Sequence, residues 1–325
     1  MRAVVMQKYG GPEMLRLETI VAPPVPEGWV EVDLKASGLN WHDVLVRRGT
    51  YASPLPHVPG ADGVGTRRDT GEEVIILPSM FWGTRQAAPA PGFTIVGDNN
   101  FGTYAERIAV PAECVVPRPR GLSVAEAATF GLVGVTVFRA LFVRGRLQAG
   151  ESVLILGASG GVATTAIALA AAAGARVIVT SNSPGKINAA RDLGAVGGVN
   201  HSADGWVDEA RSLTPEGRGF DLVLDSVGRW EESVRALRPG GRCVVLGASV
   251  ADQATLAVRP YYFGQYELIG TTLGSPADMM GLLDFVAEHR VPPPIIDKVF
   301  GLEDAALAHT RMESGEGFGS IALLH

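Results

Sequence analysis

The sequence predicts a two-domain α/β protein, with a β-rich part followed by a doubly wound parallel sheet. At roughly 150 residues per domain, the 325 residues suggest two domains. Short apolar strands dominate residues 1–115, whereas strands and helices alternate after residue 119. Such alternation predicts a parallel sheet with helices on both faces, and these sheets bind ligands at the carboxyl ends of their strands.

Composition and charge exclude several classes of protein. Hydrophobic residues make up 46% and charged residues 19% of the chain, which excludes an intrinsically disordered protein. The net charge of −6 argues against a nucleic-acid partner. The longest apolar stretch, 163–174, is too short to span a bilayer, so no membrane partner is expected. The N-terminus lacks the apolar core of a signal peptide, which predicts a soluble, cytoplasmic protein.

The two cysteines, Cys114 and Cys243, lie far apart in the sequence. They exclude a disulfide framework and a zinc site made of several thiolates. We expect both to be small apolar residues in strands of a cytosolic protein.

The first part of the chain is predicted to form strands separated by Pro- and Gly-rich turns. These strands are predicted at 3–6, 30–36, 73–77 and 104–110. The segment 78–103 has no clear period, which predicts a long surface loop or lobe.

The second part is predicted to alternate between helices and buried strands. Helices are predicted at 124–130, 135–143, 162–173, 184–193, 206–213, 230–237, 277–289 and 302–313. Strands are predicted at 152–156, 177–180, 198–200, 221–225, 242–246, 266–271 and 320–324. We expect the last strand to return and complete the first, β-rich domain.

The strongest chemical signal is a glycine turn between a buried strand and a helix of small residues. It reads SVLILGASGGVA at residues 152–163. Glycines let the backbone turn sharply and approach a pyrophosphate, and the helix N-terminus offers free N–H groups and a partial positive charge. A tight turn without a ligand is the alternative. The predicted cofactor contacts are Gly157, Ser159, Gly160, Gly161 and Val162.

The end of the next strand favours NADP(H) over NAD(H). An NAD site usually carries Asp or Glu about 20 residues after the turn, whereas this strand ends in VTSNS at 179–183. The hydroxyl of Ser181 and the amine of Lys186 suit a 2′-phosphate, unless Lys186 is a solvated surface lysine. Ser226, Gly247 and Ala248 follow further strands, and we expect them to line a ribose or the adenosine, unless they form ordinary turns.

Seven segments over nearly the whole chain resemble the medium-chain dehydrogenase/reductase superfamily, and especially its zinc-independent quinone oxidoreductase-like branch. They are GLNWHD at 38–43, PGADG at 59–63, GTYAE at 102–106, the glycine turn at 157–163, DLVLDSVG at 221–228, RPGGR at 238–242 and GFGSIAL at 317–323.

The resemblance implies a specific domain arrangement. A GroES-like catalytic domain would comprise residues 1–118 with 272–325, and an inserted Rossmann domain would comprise 119–271. The active site would lie in the cleft between them. Homodimers are common in this superfamily, with Rossmann sheets paired edge to edge, and the strand at 266–271 is the candidate edge.

The resemblance also implies where a zinc enzyme would carry its ligands. The cysteine position is Asn40, the His-Glu pair is Ala61-Asp62, and the third ligand falls near Leu132. Because Ala61 and Leu132 cannot bind zinc, we expect no catalytic metal. His42 and His57 lie nearby in sequence, but a site built on them would need new geometry.

Without a metal, hydrogen-bond donors must stabilise the negative charge that develops on the substrate during hydride transfer. The resemblance places the Asn40 amide and the Tyr51 hydroxyl near the nicotinamide, and it implies that Thr136 contacts the cofactor there. Tyr51 or a bound water would supply the final proton, unless Tyr51 is a packing residue. We expect Asp43 to orient the Asn40 loop and Arg47 to lie either in the cleft or at the surface.

Two positions depart from bacterial quinone reductases of this branch, which often carry tyrosine at both. Leu45 replaces the first tyrosine, which weakens the match to a quinone substrate. His201 replaces the second, where it either donates to the 2′-phosphate or lies at the surface.

The sequence therefore predicts an NADPH-dependent oxidoreductase that transfers hydride to a quinone or a conjugated enone. Conjugation spreads the developing charge, so less Lewis acidity is required. Two alternatives remain open. One is an alcohol or aldehyde dehydrogenase of the zinc-type family, and the other is a non-catalytic NADPH-binding protein.

Overall fold

The computed structural model describes residues 1–325 and divides them into two compact units. The first unit contains Met1–Val135, Leu273–Leu283 and Pro293–His325, and the second contains Thr136–Thr272 and Asp284–Pro292. Residues 119–135 therefore pack with the first unit, whereas the sequence placed them in the second domain. The domain boundaries at 118 and 272 stay a prediction.

Strands dominate the first part of the chain, with one long helix inserted among them. In chain order the elements are β1 (Arg2–Met6), β2 (Leu15–Thr19), β3 (Trp29–Leu39), α1 (Trp41–Arg48), β4 (Asp62–Arg67), β5 (Glu73–Ile76), β6 (Ser79–Met80), β7 (Thr94–Ile95), β8 (Arg107–Pro111), β9 (Val115–Pro117) and α2 (Val124–Ala128).

Helices and strands alternate in the middle of the chain. The elements are α3 (Gly131–Phe138), β10 (Ser152–Ile155), α4 (Gly161–Ala172), β11 (Arg176–Thr180), α5 (Pro184–Asp192), β12 (Gly197–Val199), α6 (Trp206–Ser212), β13 (Phe220–Asp225), α7 (Trp230–Ala236), β14 (Leu237–Val245), α8 (Val258–Gly264) and β15 (Glu267–Gly270). The chain ends with α9 (Pro276–His289), β16 (Ile296–Gly301), α10 (Ala305–Ser314) and β17 (Ser320–Leu324).

The first unit is built on a seven-stranded sheet in the order β16-β17-β3-β4-β5-β9, with β8 also paired to β3. The final strand β17 pairs antiparallel with β3, from Ile321 opposite Leu39 to Leu324 opposite Ala36. This pairing confirms that the end of the chain returns to the β-rich part. A buried cluster that includes Val4, Leu39 and Val46 lies under β1 and the site-bearing helix α1.

The segment 78–103 is a folded lobe rather than a surface loop. Its strands β6 and β7 pair antiparallel, with Ser79 opposite Ile95. Met80, Trp82 and Val96 are buried, and Met80 and Val96 join the apolar cluster under β5 and β8. Its sparse apolar residues have no regular spacing, which is why the periodicity of the sequence did not reveal this core.

The second unit is built on a six-stranded parallel sheet in the order β12-β11-β10-β13-β14-β15, which confirms the predicted doubly wound sheet. Because the chain runs outward from β10 in one direction and then resumes at β13 on its other side, the carboxyl ends of β10 and β13 form the topological switch point. A buried core of Leu154, Ile178, Val223 and others supports this sheet.

Several elements, among them α1, β4, α8 and β16, were not predicted from the sequence. One expectation about the cysteines was wrong. Cys114 lies in a short 3₁₀ turn, Ala112–Cys114, rather than in a strand, whereas Cys243 does lie in β14. No helix combines the length and the apolar character needed to cross a membrane.

Candidate active site

Asn40 lies at the junction of β3 and α1 in the first unit. It has an extended backbone, and its N–H donates to Asp43 Oδ2 at 2.8 Å. Its side-chain Nδ2 donates to Asp62 Oδ2 at 3.4 Å, a long hydrogen bond. Asn40 is 6% exposed, so Asp43 holds its backbone and Asp62 contacts its largely buried side-chain amide. An amide nitrogen carries two hydrogens, and Asp62 accepts one of them.

Asp62 is the functional candidate that the sequence did not single out. It is fully buried, and its Oδ1 accepts the backbone N–H of Leu132 at 3.0 Å. Burial raises the pKa of Asp62 to about 8, although hydrogen bonds from Leu132 and Asn40 partly oppose this shift. The carboxyl group is therefore largely protonated at neutral pH. Its place in the Ala61-Asp62 pair was the available signal, but the sequence argument considered that pair only as a metal ligand.

Asp43 is buried at the first turn of α1. Its Oδ2 accepts from Asn40 N–H and from the Tyr104 hydroxyl at 3.2 Å. The Tyr104 hydroxyl also lies 3.3 Å from His309 Nε2. Burial lowers the pKa of His309 to about 4, so this imidazole is neutral at ordinary pH. Asp43 thus ties the Asn40 turn to Tyr104 and, through Tyr104, to His309 of α10, which no local sequence pattern indicated.

Arg47 lies neither in a cleft nor at the surface, contrary to both expectations. It is 1% exposed, and its guanidinium donates to Glu313 at 2.6 and 3.2 Å. Arg48 donates to the same carboxylate. Burial acts to raise the pKa of Glu313, but these two guanidinium groups outweigh it and hold that pKa below its usual value. The pair joins α1 to α10.

Tyr51 follows α1 and is 45% exposed. Its ring stacks on His42, with centroids 5.3 Å apart and an angle of 27° between the planes. The exposed side chain places a phenol beside His42 of α1, where a small molecule could reach it.

The residues at the zinc-ligand positions do not suit a metal. Ala61 is fully buried and Leu132 is 9% exposed, and neither side chain carries a donor atom. The structure contains no group of three or more His, Cys, Asp or Glu side chains arranged to hold a metal ion.

The glycine turn of the second unit has the geometry of an anion cradle. Gly157 has a φ of +104°, which favours glycine, and its N–H donates to Thr180 Oγ1 at 3.0 Å. Gly160 precedes α4, and a Cβ there would meet no atom within 4 Å. No side chain caps α4, so its first N–H groups, from Gly161 and Val162 onward, remain for a ligand.

Polar side chains gather at the carboxyl ends of β11 and β12. Ser181 is 6% exposed, and its Oγ accepts the Ser183 N–H at 3.1 Å. Ser183 in turn caps α5 by accepting the Lys186 N–H at 3.4 Å. His201 follows β12, and burial, reinforced by the charge of Arg229, lowers its pKa. Arg229, which follows the β13 turn, was not singled out from the sequence, and its charge acts on His201.

The turns after β13 and β14 lie together, because Ser249 Oγ donates to the Ser226 carbonyl oxygen at 3.3 Å. Gly247 and Ala248 belong to the same turn as Ser249. Asp225 organises the neighbouring backbone by accepting two N–H groups, from Val227 and Gly228, each at 2.8 Å.

Two predicted cofactor contacts remain. Ser159 lies in the glycine turn and is partly exposed. Thr136 is 6% exposed within α3, at the start of the second unit.

Two family models match the chain. The alcohol dehydrogenase GroES-like domain matches residues 26–120, and the zinc-binding dehydrogenase model matches residues 161–288.

The chain is similar along its full length to characterised oxidoreductases. It is 30% identical to a quinone oxidoreductase of Mus musculus, over 100% of this chain and 98% of that protein. It is 31% identical to a 2-methylene-furan-3-one reductase of Solanum lycopersicum, over 99% of this chain and 79% of that protein. A crystal structure of an NAD-dependent alcohol dehydrogenase superposes with a TM-score of 0.93 at 35% identity and covers 100% of both chains.

Proposed function

Because this chain belongs to the medium-chain dehydrogenase/reductase superfamily, in its quinone oxidoreductase-like branch, we propose that it is an NADPH-dependent reductase of a quinone or a conjugated enone that acts without catalytic zinc. The observation that carries this proposal is the donor set of the first unit. Where a metal would be bound, that unit presents a buried amide, Asn40, held by a protonated carboxyl group, Asp62.

The second unit fits a nicotinamide dinucleotide. The pyrophosphate would contact the open cradle at Gly160 and the uncapped N-terminus of α4, at Gly161 and Val162. Both the free N–H groups and the helix dipole favour the negative charge of a phosphate there. When bound in its reduced form, the cofactor supplies the hydride.

A 2′-phosphate is favoured over a free 2′-hydroxyl because no carboxylate follows β11. Ser181 and Ser183 offer hydroxyl groups there, and Lys186 offers a cation. His201 is kept neutral by burial and by Arg229, so it would act as a hydrogen-bond donor rather than as a charge. The related alcohol dehydrogenase is described as NAD-dependent, which makes the choice of cofactor the first point to test.

The hydrogen-bond donors of the first unit suit a conjugated substrate, which delocalises the developing negative charge itself. As negative charge develops on the substrate oxygen, the Asn40 amide and the Tyr51 hydroxyl serve as hydrogen-bond donors. A neutral Asp62 adds no charge that would oppose the developing anion. Since two hydrogen-bond donors polarise a carbonyl less than a metal does, a conjugated quinone or enone is a better acceptor than a simple ketone.

Zinc does not fit the residues present. Ala61 and Leu132 cannot supply ligands, and Asn40 is engaged with Asp62. A cation beside Asp62 would also face a protonated carboxyl group.

The deciding experiment measures NADPH oxidation by dialysed, metal-free protein with an ortho-quinone and with an α,β-unsaturated ketone, with NADH in parallel. We expect turnover with NADPH and a lower kcat/KM with NADH. Lys186→Ala should raise the KM for NADPH more than that for NADH, whereas Lys8→Ala, at an exposed position, should change neither. Equal use of both cofactors would contradict the 2′-phosphate proposal, and a requirement for added zinc would contradict the metal-free proposal.

Alcohol oxidation is the second candidate function, favoured by the likeness to the alcohol dehydrogenase structure. Robust oxidation of a primary alcohol by the metal-free protein, without turnover of a quinone or an enone, would establish it.

A further inference from the structure

We propose that His42, paired with Asp43, returns a proton to the Tyr51 hydroxyl during turnover, so that the three side chains form a carboxylate–imidazole–phenol relay. This inference rests on the proposed function, because a substrate that accepts a hydride must also take up a proton. His42 acts through Tyr51 and is therefore a positioning and proton-supplying residue.

The imidazole of His42 lies between the carboxyl group of Asp43 and the phenol of Tyr51. His42 is the second residue of α1 and its side chain is 12% exposed. Its Nδ1 lies 3.8 Å from Asp43 Oδ1, and its ring stacks on Tyr51 at a centroid distance of 5.3 Å. The imidazole thus lies in contact with the exposed phenol on one side and near a buried carboxylate on another.

Unpartnered polar atoms indicate that this arrangement is incomplete in the resting protein. Both ring nitrogens of His42 are buried without a hydrogen-bond partner, and so is Asp43 Oδ1. Leaving such atoms unpaired away from water is energetically unfavourable. The other oxygen of Asp43 is already held by Asn40 N–H and by Tyr104. The carboxylate is therefore fixed, with its one free oxygen next to the imidazole.

The 3.8 Å between His42 Nδ1 and Asp43 Oδ1 is little more than a hydrogen-bond distance. A hydrogen bond needs about 3 Å between the heavy atoms, and the torsion that turns a histidine ring has a broad energy profile. Catalytic hydrogen bonds are often long before substrate binds. A modest rotation of the His42 ring would bring Nδ1 to Asp43 and leave Nε2 for the phenol.

The titratable groups that face His42 are Asp43 on α1, Tyr51 just beyond it and His57. His57 Nε2 lies 2.9 Å from the Gly97 carbonyl oxygen, and burial lowers the pKa of this histidine. His57 is therefore committed to the backbone, which leaves His42 as the imidazole that can exchange a proton with Tyr51.

The proton balance closes without another reagent. Hydride delivery forms a C–H bond and leaves an anion on the substrate. The O–H bond of Tyr51 then breaks and its proton goes to that anion. The imidazolium form of His42 passes its Nε2 proton to the Tyr51 phenolate oxygen and becomes a neutral imidazole, which then takes up a proton from water. Asp43 holds the ring throughout, and the net proton comes from solvent.

The test replaces His42 by a ring that stacks but holds no proton. His42→Phe should lower kcat about 10²-fold or more, the usual contribution of a proton-transfer group. The KM values should change little, and both the solvent deuterium isotope effect on kcat and the pH profile of kcat should differ from those of the parent protein. His42→Gln serves as the second variant if the phenylalanine variant does not fold. His289→Phe is the matched control, because the exposed His289 also stacks on an aromatic ring, Phe285, and its replacement should leave kcat unchanged.

A double substitution separates the relay from a packing role. Because His42 acts through Tyr51, the double variant His42→Phe/Tyr51→Phe should be no slower than Tyr51→Phe alone. Additive losses in kcat would overturn the relay.

A second readout needs no turnover. Proton NMR of the protein with bound substrate analogue should show a downfield imidazole N–H signal that is absent in His42→Phe and in Asp43→Asn. Absence of this signal from the parent protein would contradict the proposed pair.

The outcomes distinguish the relay from the proposed function. Parent turnover on a quinone or an enone, together with unchanged kcat and pH dependence in both His42 variants, would overturn the relay and leave the proposed function intact. A parent protein that binds NADPH but reduces neither substrate would overturn the proposed function and the relay with it.

Discussion

Ionisation of Asp62 should make the first unit less stable as the pH rises through the neutral range. Its pKa lies at about 8 in the folded protein and near 3.8 when exposed. The folded state therefore keeps the proton that the unfolded state loses. This contribution to stability is complete below about pH 4 and is lost as the pH rises through about 8.

Asp62→Asn removes this titration with little change in shape. The amide oxygen can still accept the Leu132 N–H, and a flip of the Asn40 amide restores its bond to position 62. At about 1.4 kcal/mol per proton and pH unit, the parent protein should lose roughly 3 kcal/mol between pH 5 and pH 7.5 through this group. The variant should lack that part of the loss.

The assay is urea unfolding at several pH values, followed by tryptophan fluorescence. Trp29, Trp41 and Trp82 report on the first unit, which contains three of the five tryptophans of the chain. Asp252→Asn, at an exposed position, is the control and should follow the parent curve. Parallel pH profiles for the parent protein and Asp62→Asn would show that Asp62 is already ionised in the folded protein, and would refute the assignment of a neutral carboxyl group.

Three further predictions concern the cradle and the buried network. Gly160→Ala should leave thermal stability unchanged, because the added Cβ meets open space, and should weaken NADPH binding measured by calorimetry. Gly157→Ala, at a φ of +104°, should cost about 2 kcal/mol of unfolding free energy. Equal effects of the two substitutions would contradict the proposed cradle. Burial lowers the pKa of His309 to about 4, so this histidine contributes stability above pH 6.5 that is lost as the pH falls toward 4. His309→Gln should therefore make the free energy of unfolding fall less steeply at acidic pH. An unchanged pH dependence would count against a buried neutral imidazole. Glu313→Gln leaves the buried Arg47 charge without its carboxylate and should cost roughly 3 kcal/mol in urea unfolding, so a cost near zero would show that the pair is solvated.

The order and type of most elements could be predicted from the sequence because their patterns are local. Apolar runs such as 152–156 and the glycine turn that follows them indicate a buried strand and a helix N-terminus without reference to distant residues. The returning strand at 320–324 was also correctly expected. Irregular apolar spacing at 258–264 carried no period, so α8 was not predicted, and the same irregularity in 78–103 left both a loop and a lobe open.

The candidate site likewise contains residues that the sequence indicated and partners that only the folded structure revealed. Asn40 and Tyr51 were identified through the resemblance to the superfamily, whereas the residues of the glycine turn were identified from a motif at a recognisable strand end. The partners that set their chemistry come from far along the chain: Asp62 reaches Asn40 across 22 residues, Tyr104 reaches Asp43 across 61, and Glu313 reaches Arg47 across 266.

The amino-acid sequence alone sufficed for the fold class, the superfamily and the glycine turn of the proposed dinucleotide site, since these depend on periodicity and on short motifs. The protonation of Asp62, the burial of Arg47 and the stacking of His42 on Tyr51 emerged from the folded chain. Burial and electrostatic partners set these properties, and both depend on which distant residues packing brings into contact.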